Sequence, residues 1–170
     1  MRHSLRIIGI DPGYAIVGYG VVDYAGNRFG VVEYGAIQTA AGMPFERRLE
    51  QVWDELSAVL IRTRPDAMAV EKLFFTTNQK TAIDVAQARG VIQLCAVKHG
   101  LALSEYTPLQ VKQSVVGYGK AEKKQVMHMT KVLLNLEEVP KPDDTADALA
   151  VAICHAHSAS AQGRTVDNSI

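Results

Sequence analysis

Residues 5–13 read Leu-Arg-Ile-Ile-Gly-Ile-Asp-Pro-Gly. An apolar, β-branched run of this length favours a buried strand, and Asp11-Pro12-Gly13 ends it with turn chemistry. Working outward, residues 15–23 and 29–38 are two further strand candidates, separated by a turn containing Gly26 and Asn27. Connections this short predict an antiparallel meander. The period then changes. Phe45, Leu49, Val52, Leu56, Val59 and Leu60 recur at helical spacing after Pro44, with Arg47, Glu50, Asp54 and Arg62 between them. That pattern predicts an amphipathic helix ending before Pro65. Residues 67–71 read as a short buried strand, and a strand, helix, strand succession implies a right-handed crossover with parallel pairing.

A long helical stretch follows over residues 79–99, capped by Thr77 or Asn78. Ala82, Ala86 and Gly90 make a small-residue stripe suited to close packing on the sheet. Val85, Ile92 and Ala96 make a second stripe, which needs a cover of its own: a partner subunit or another element of the chain. Residues 101–106 are the fifth strand, followed after Pro108 by helical segments running to Leu134. A final Ala-rich helix begins near Asp143 and continues to about His157. Beyond Ser158 the chain turns polar, so the expectation is one domain over residues 1–158 and a disordered tail over 159–170.

Composition agrees with one core. The chain has 170 residues, 48% of them hydrophobic and 21% charged, which suits a single globular domain. No apolar run approaches the ~20 residues of a membrane span, and the N-terminus passes into a strand without a signal-peptide pattern. With only Cys95 and Cys154, far apart, a reducing cytoplasm is the expected compartment. Net charge is zero, yet residues 107–136 hold five lysines (Lys112, Lys120, Lys123, Lys124, Lys131) against one acid, Glu122. A basic face can therefore adjoin an acidic pocket.

Four acids carry the chemistry. Ligands collect at the carboxyl ends of strands in open α/β sheets, and Asp11 and Glu71 both sit at such ends. Asp144 and Asp147 are three apart, so they share a face of the last helix. Four ionised carboxylates in one small site repel strongly, and a divalent cation resolves this. Oxygen-only ligands select Mg²⁺, or Mn²⁺ as a substitute, over zinc. One or two such ions, ~4 Å apart when paired, suit in-line displacement at a phosphodiester.

Plainer readings exist for each acid. Asp11 can cap its own turn, and Asp143 and Asp144 can favour a helix N-terminus; that reading suffices for Asp143. Asp147 lies between Ala146 and Ala148, where an unpaired charge is costly. Phe74 and Phe75 follow Glu71 in a polar loop and can stack on bases or fold into the core. Lys112, Lys120, Lys123 and Lys124 can hold phosphates or make a solvated helix face. His155 and His157 point to different helix faces, the two cysteines read as packing residues, and no Walker-type loop is present.

The ordered pieces Ile8-Gly9-Ile10-Asp11-Pro12-Gly13, Val70-Glu71, Phe74, Gln87-Ala88-Arg89-Gly90, Gln110-Val111-Lys112-Gln113, Ala121-Glu122-Lys123 and Asp144-Thr145-Ala146-Asp147-Ala148-Leu149-Ala150 closely resemble the bacterial RuvC crossover junction endodeoxyribonucleases. The resemblance implies an RNase H-like α/β fold: a five-stranded mixed sheet, its first three strands antiparallel, flanked by helices. It implies a homodimer that resolves four-way Holliday junctions by paired nicks leaving 5′-phosphate and 3′-hydroxyl ends, alongside the RuvA and RuvB branch-migration proteins. By the same resemblance Asp11, Glu71, Asp144 and Asp147 take the acidic metal positions, Phe74 the base-stacking position, and Lys112 and Lys123 the basic positions near the scissile phosphate. Phe75 and Lys72 inherit no role.

Two other classes compete. Gly9-Ile10-Asp11-Pro12-Gly13 followed by Gly18 and Gly20 also looks like the first phosphate motif of actin-like and sugar-kinase ATPases, which usually need two such domains around the nucleotide. A structure-specific DNA-binding module with a dead site is the other, and the presence of all four acids argues against it.

Overall fold

The computed structural model of the chain describes residues 4–72 and 79–167. Five strands, β1 (Leu5–Asp11), β2 (Ile16–Ala25), β3 (Arg28–Gln38), β4 (Ala67–Glu71) and β5 (Ala102–Tyr106), form one sheet in the order β3-β2-β1-β4-β5. The first three are antiparallel neighbours, and β4 and β5 run parallel to β1. Gly26 (φ 57°) and Asn27 (φ 63°) both adopt the left-handed region, the geometry of a two-residue hairpin between β2 and β3. The sheet, with helices on both faces, is the mixed RNase H-like α/β architecture that the resemblance implies.

β1 is apolar and fully buried from Ile7 to Ile10 because it is central and covered on both sides there. Its side chains alternate between two layers. Ile8 and Ile10 face α1 (Phe45–Thr63) and α2 (Gln79–Lys98), where Val17, Val21, Met68 and Val70 meet Val52, Leu56 and Ile92. Ile7 faces the opposite layer, where Val22 and Ala69 meet Leu149, Ala152 and Ile153 of α5 (Asp143–Asp167). Behind α5 stand α3 (Pro108–Val116) and α4 (Lys123–Leu133), which add Val111, Val115 and Val126 to the same core. Each fully buried Ile or Leu in these layers contributes roughly 1.5–3 kcal/mol over its exposed state.

The contact between α5 and the sheet is unusually close. A Cβ added at Gly9 would lie 2.0 Å from the Ala148 carbonyl oxygen, and one at Gly18 would lie 2.0 Å from that of Asp144. The strands present bare backbone there, and the helix rests directly on it.

Two expectations change. On α2 the stripes exchange roles: Ile92 and Ala96, with Ala88 and Cys95, are fully buried against α1 and the sheet, whereas Ala86 and Gly90 are exposed. Ile92 fills the layer between α2 and α1, and the small Cys95 and Ala96 beside it let the two helices approach. The last helix continues to Asp167 rather than ending near His157, so residues 159–167 continue the helix instead of forming an irregular tail. Its serines suit a helix here because Ser158 Oγ donates to the Cys154 carbonyl at 2.9 Å and Ser160 Oγ to the Tyr24 hydroxyl at 3.1 Å. Phe74, Phe75 and the Thr77 or Asn78 cap lie outside the described residues.

Candidate active site

The period of two that sorts the core also aims the acids. Asp11 lies two residues beyond Gly9 and Glu71 two beyond Ala69, so both project on the α5 side of the sheet. Their strands are parallel neighbours whose last paired residues are Ile10 and Val70. One step further, the two carboxyls leave the sheet side by side. Asp144 and Asp147 come from the first turns of α5, which the glycine floor holds against β2: Gly18, whose backbone meets Asp144, is paired with Asp11 itself.

The electrostatics of the group show that the four converge. Burial, then the charges of Glu71, Asp147 and Asp144, push the Asp11 carboxyl up to about 9. Burial and Asp147 also raise Glu71, against opposing contributions from its hydrogen bond with Asp11 and from Lys123 and Lys112. Asp147 is raised by burial, with Lys123 opposing the rise. Asp11 and Glu71 thus share a hydrogen bond as neighbouring carboxyls that are both raised above the ordinary range. Crowded, partly buried carboxylates of this kind mark a site built for a positive ligand.

Lys112 and Lys123 are the two expected lysines that reach the acids. Together with Glu71, Asp147, Pro108, Val111, Val126 and Ala150 they line a cleft of about 240 Å³. Lys123 Nζ stands 3.1 Å from Asp147 and 3.9 Å from Asp143. Lys120 and Lys124 lie outside this cleft, exposed to solvent. Asp143 occupies the first helical turn rather than a cap position, and its hydrogen bond with Lys141 (2.8 Å) lowers its carboxyl below the ordinary range. His155 pairs with the Tyr106 hydroxyl at 2.9 Å and His157 with Ser114 at 3.1 Å.

The donor set tests for a metal. Among the described residues no three His, Cys, Asp or Glu side chains stand in ready ligating geometry, and the Lys123 ammonium is the cation on Asp147. The chemistry nevertheless fits a hard divalent ion: four carboxylates, no imidazole or thiolate, and a raised Asp11 whose proton such an ion would displace. The phosphate-motif reading of Gly18 and Gly20 finds no support. Their faces are taken by Asp144 and Leu149 of α5.

Sequence reasoning assigned no role to Arg89. It donates to the main-chain carbonyl of Glu71 at 2.6 Å and pairs with Glu105 at 2.7 Å. The signal was present, since Arg89 is the sole charged residue between Asp84 and Lys98 on an otherwise uncharged stretch of helix.

A family model described as Crossover junction endodeoxyribonuclease RuvC matches residues 7–155. The protein of that name from Alkaliphilus metalliredigens is 59% identical over 152 residues, covering 89% of this chain and 93% of its own. The one from Pelotomaculum thermopropionicum is 58% identical over 153 residues, with 90% and 93% covered. The solved structure of Thermus thermophilus RuvC superposes with a TM-score of 0.87 at 35% identity, covering 93% of this chain and 97% of that one. The same organism's RuvC in complex with a Holliday junction substrate gives 0.89 at 34% identity, covering 93% and 96%. With a family model matched over residues 7–155 and relatives near 58% identity along most of both chains, the chain belongs to the RuvC family of crossover junction endodeoxyribonucleases.

Proposed function

We propose that this chain is a divalent-metal-dependent resolvase that nicks two strands of a four-way DNA junction, leaving 5′-phosphate and 3′-hydroxyl ends. The observation that carries the reading is the convergence of Asp11, Glu71, Asp144 and Asp147 beside Lys112 and Lys123. Mg²⁺, one or two ions with Mn²⁺ as a substitute, held by those four carboxylates, would supply Lewis-acid stabilisation of the developing phosphoryl charge. Lys123, already on Asp147, and Lys112, across the cleft, would offer ammonium groups to the phosphate of an entering strand. The proton that the raised Asp11 and Glu71 carboxyls retain between them would be displaced by a divalent ion held by those oxygens. Lys120 and Lys124 extend the basic approach for flanking phosphates, and Phe74 and Phe75, three and four positions after Glu71 in sequence, are assigned to base contacts. RuvA and RuvB counterparts are the expected partners in delivering junctions. No helix among the described residues is long and apolar enough to cross a membrane.

The test compares a synthetic four-way junction with a linear duplex of the same sequence, with Mg²⁺ and with EDTA. Preferential cutting of the junction with Mg²⁺ is expected, with ligatable products. Equal cutting of both substrates, or undiminished cutting in EDTA, overturns the reading.

Paired nicks need two sites, and α2 offers the surface that joins them. Ile83, Gly90 and Val97 are spaced by seven, with Ala86 and Leu94 between them, and Ile83 (66%), Leu94 (51%) and Val97 (70%) are exposed. A heptad stripe with small residues at its middle suits close crossing of two copies of one helix. Leu94→Asp combined with Val97→Asp should therefore yield monomers by light scattering. It should also depress coordinated double nicking more than single nicking. A variant that stays dimeric removes α2 from the interface.

A further inference from the structure

Glu71 stands where the sheet stops holding the chain. The β1–β4 ladder ends at Ile10 and Val70, and Pro12 has no N–H with which to extend it. On the β5 side the Lys72 N–H still donates to the Tyr106 carbonyl at 2.7 Å. The carbonyl of Glu71 accepts instead from Arg89, at 2.6 Å. The Arg89 side chain is 12% exposed, and its other terminal nitrogen pairs with Glu105 at 2.7 Å. One turn along α2, Gln93 donates to the same Glu105 oxygen at 2.9 Å.

We propose that Arg89 is a positioning residue for Glu71, and that Glu105 and Gln93 set the angle at which it acts. The inference rests on the reading of Glu71 as a site carboxylate. A guanidinium donates in a rigid fork, so anchoring one arm on Glu105 fixes where the other meets the Glu71 carbonyl. Holding that peptide fixes the direction in which the Glu71 carboxylate leaves the strand, toward Asp11. Because α2 also carries the exposed heptad face, the same clasp ties the subunit contact to the acid site.

The experiment measures Mn²⁺ affinity by electron paramagnetic resonance, single-turnover junction cleavage, junction binding in EDTA, and melting, for wild type, Arg89→Gln, Arg89→Lys and Glu105→Gln. Partners that orient ligating carboxylates typically carry a 10- to 100-fold effect, so Arg89→Gln should weaken Mn²⁺ binding about 10-fold and slow cleavage roughly 10- to 100-fold. Junction binding in EDTA should stay within about twofold, since no phosphate contact is assigned to Arg89. Arg89→Lys should recover part of the Mn²⁺ affinity, and Glu105→Gln, which leaves the carbonyl bond in place, should lose only a few-fold. Wild-type Mn²⁺ affinity in Arg89→Gln overturns the proposal. If that variant melts below the assay temperature, wild-type affinity in Glu105→Gln does the same. So does a loss of Mn²⁺ affinity that merely tracks lost junction binding. Failure of the wild type to cut the junction would instead overturn the functional reading, and the Mn²⁺ affinities would still decide the role of Arg89.

Discussion

Asp11→Asn will bind a four-way junction about as well as the wild type and cut it at least roughly 1000-fold more slowly under single-turnover conditions with Mg²⁺. Asp11 is the acid on which the others converge: Glu71, Asp147 and Asp144 all act on it. An amide of the same shape keeps one acceptor oxygen but loses the anionic charge, and it turns an N–H₂ donor toward a site that needs acceptors. The lysines proposed for junction contacts are unchanged, so binding and cleavage should separate. A rate within tenfold of wild type would remove Asp11 from the chemistry.

The same substitution should stabilise the metal-free protein, and the sign follows from proton linkage. The ordinary value for Asp11 is 3.8, and the fold raises it to about 9. Between those values the folded state holds a proton that the unfolded state has released, so the contribution of Asp11 to stability falls as pH rises through that window. Glu71 and Asp147 are also raised and act in the same direction. Asp23 and Glu33, lowered by hydrogen bonds to Arg6 and Arg62, act only in acid, below the ordinary carboxylate range. In EDTA, the melting temperature of wild type should therefore decline from about pH 5 to about pH 9 more steeply than that of Asp11→Asn. Added Mg²⁺ should raise wild type more than the variant, because only the native site binds it. Parallel melting curves for the two proteins would contradict this account.

Much of the fold was legible because it depends on patterns that sequence carries directly. The apolar run along residues 5–11, period 3.6 along 45–60 and the turn residues between elements predict the antiparallel meander and the parallel crossover. Asp11 and Glu71 were legible for the same reason, since each ends an apolar run, and Asp147 because it interrupts one. What failed was the choice between two apolar faces of α2. Ala86 and Gly90 suit close packing on any partner, and nothing local says whether that partner is the sheet or a second copy. The length of α5 was hidden because Ser158 and Ser160 look like tail residues until their hydrogen-bond partners, Cys154 and Tyr24, are in view. Arg89 was missed because its partner is a main-chain carbonyl, which leaves no mark on the side-chain sequence. The glycines of β1 and β2 were read as a candidate phosphate motif, whereas their function depends on a helix more than 120 residues away.

Gly18→Ala tests that last point, and it should damage cleavage out of proportion to stability. An added Cβ would lie 2.0 Å from the Asp144 carbonyl oxygen, 2.3 Å from its carbonyl carbon and 3.0 Å from its Cβ. Ordinary contact begins at 3.4 Å, and the obstacle is helix backbone, which cannot rotate aside as a side chain can. The first turn of α5 must therefore lift by about 1 Å or more, a displacement that can cost on the order of 100-fold in rate when it moves a catalytic group. Overpacking of this kind typically costs about 1–3 kcal/mol, which a domain with a well-filled core survives. Gly20→Ala provides the graded comparison: its Cβ meets Leu149 Cδ2 at 2.4 Å and Cγ at 2.6 Å, side-chain atoms that a rotamer change can move, and the Leu149 Cα only at 3.2 Å. Gly30→Ala meets nothing within 4 Å and should behave as wild type. Melting curves and single-turnover rates should then separate. Stability should decline modestly from Gly30→Ala through Gly20→Ala to Gly18→Ala, while cleavage falls steeply only at the last. If Gly18→Ala cuts like Gly30→Ala, the glycine floor does not set the position of Asp144. If all three lose rate only in proportion to folded protein, the floor serves the core and not the site. The expected split places the cause in one residue: Asp144 offers its backbone to Gly18 and its carboxylate to the Asp11 cluster, so whatever lifts the first withdraws the second.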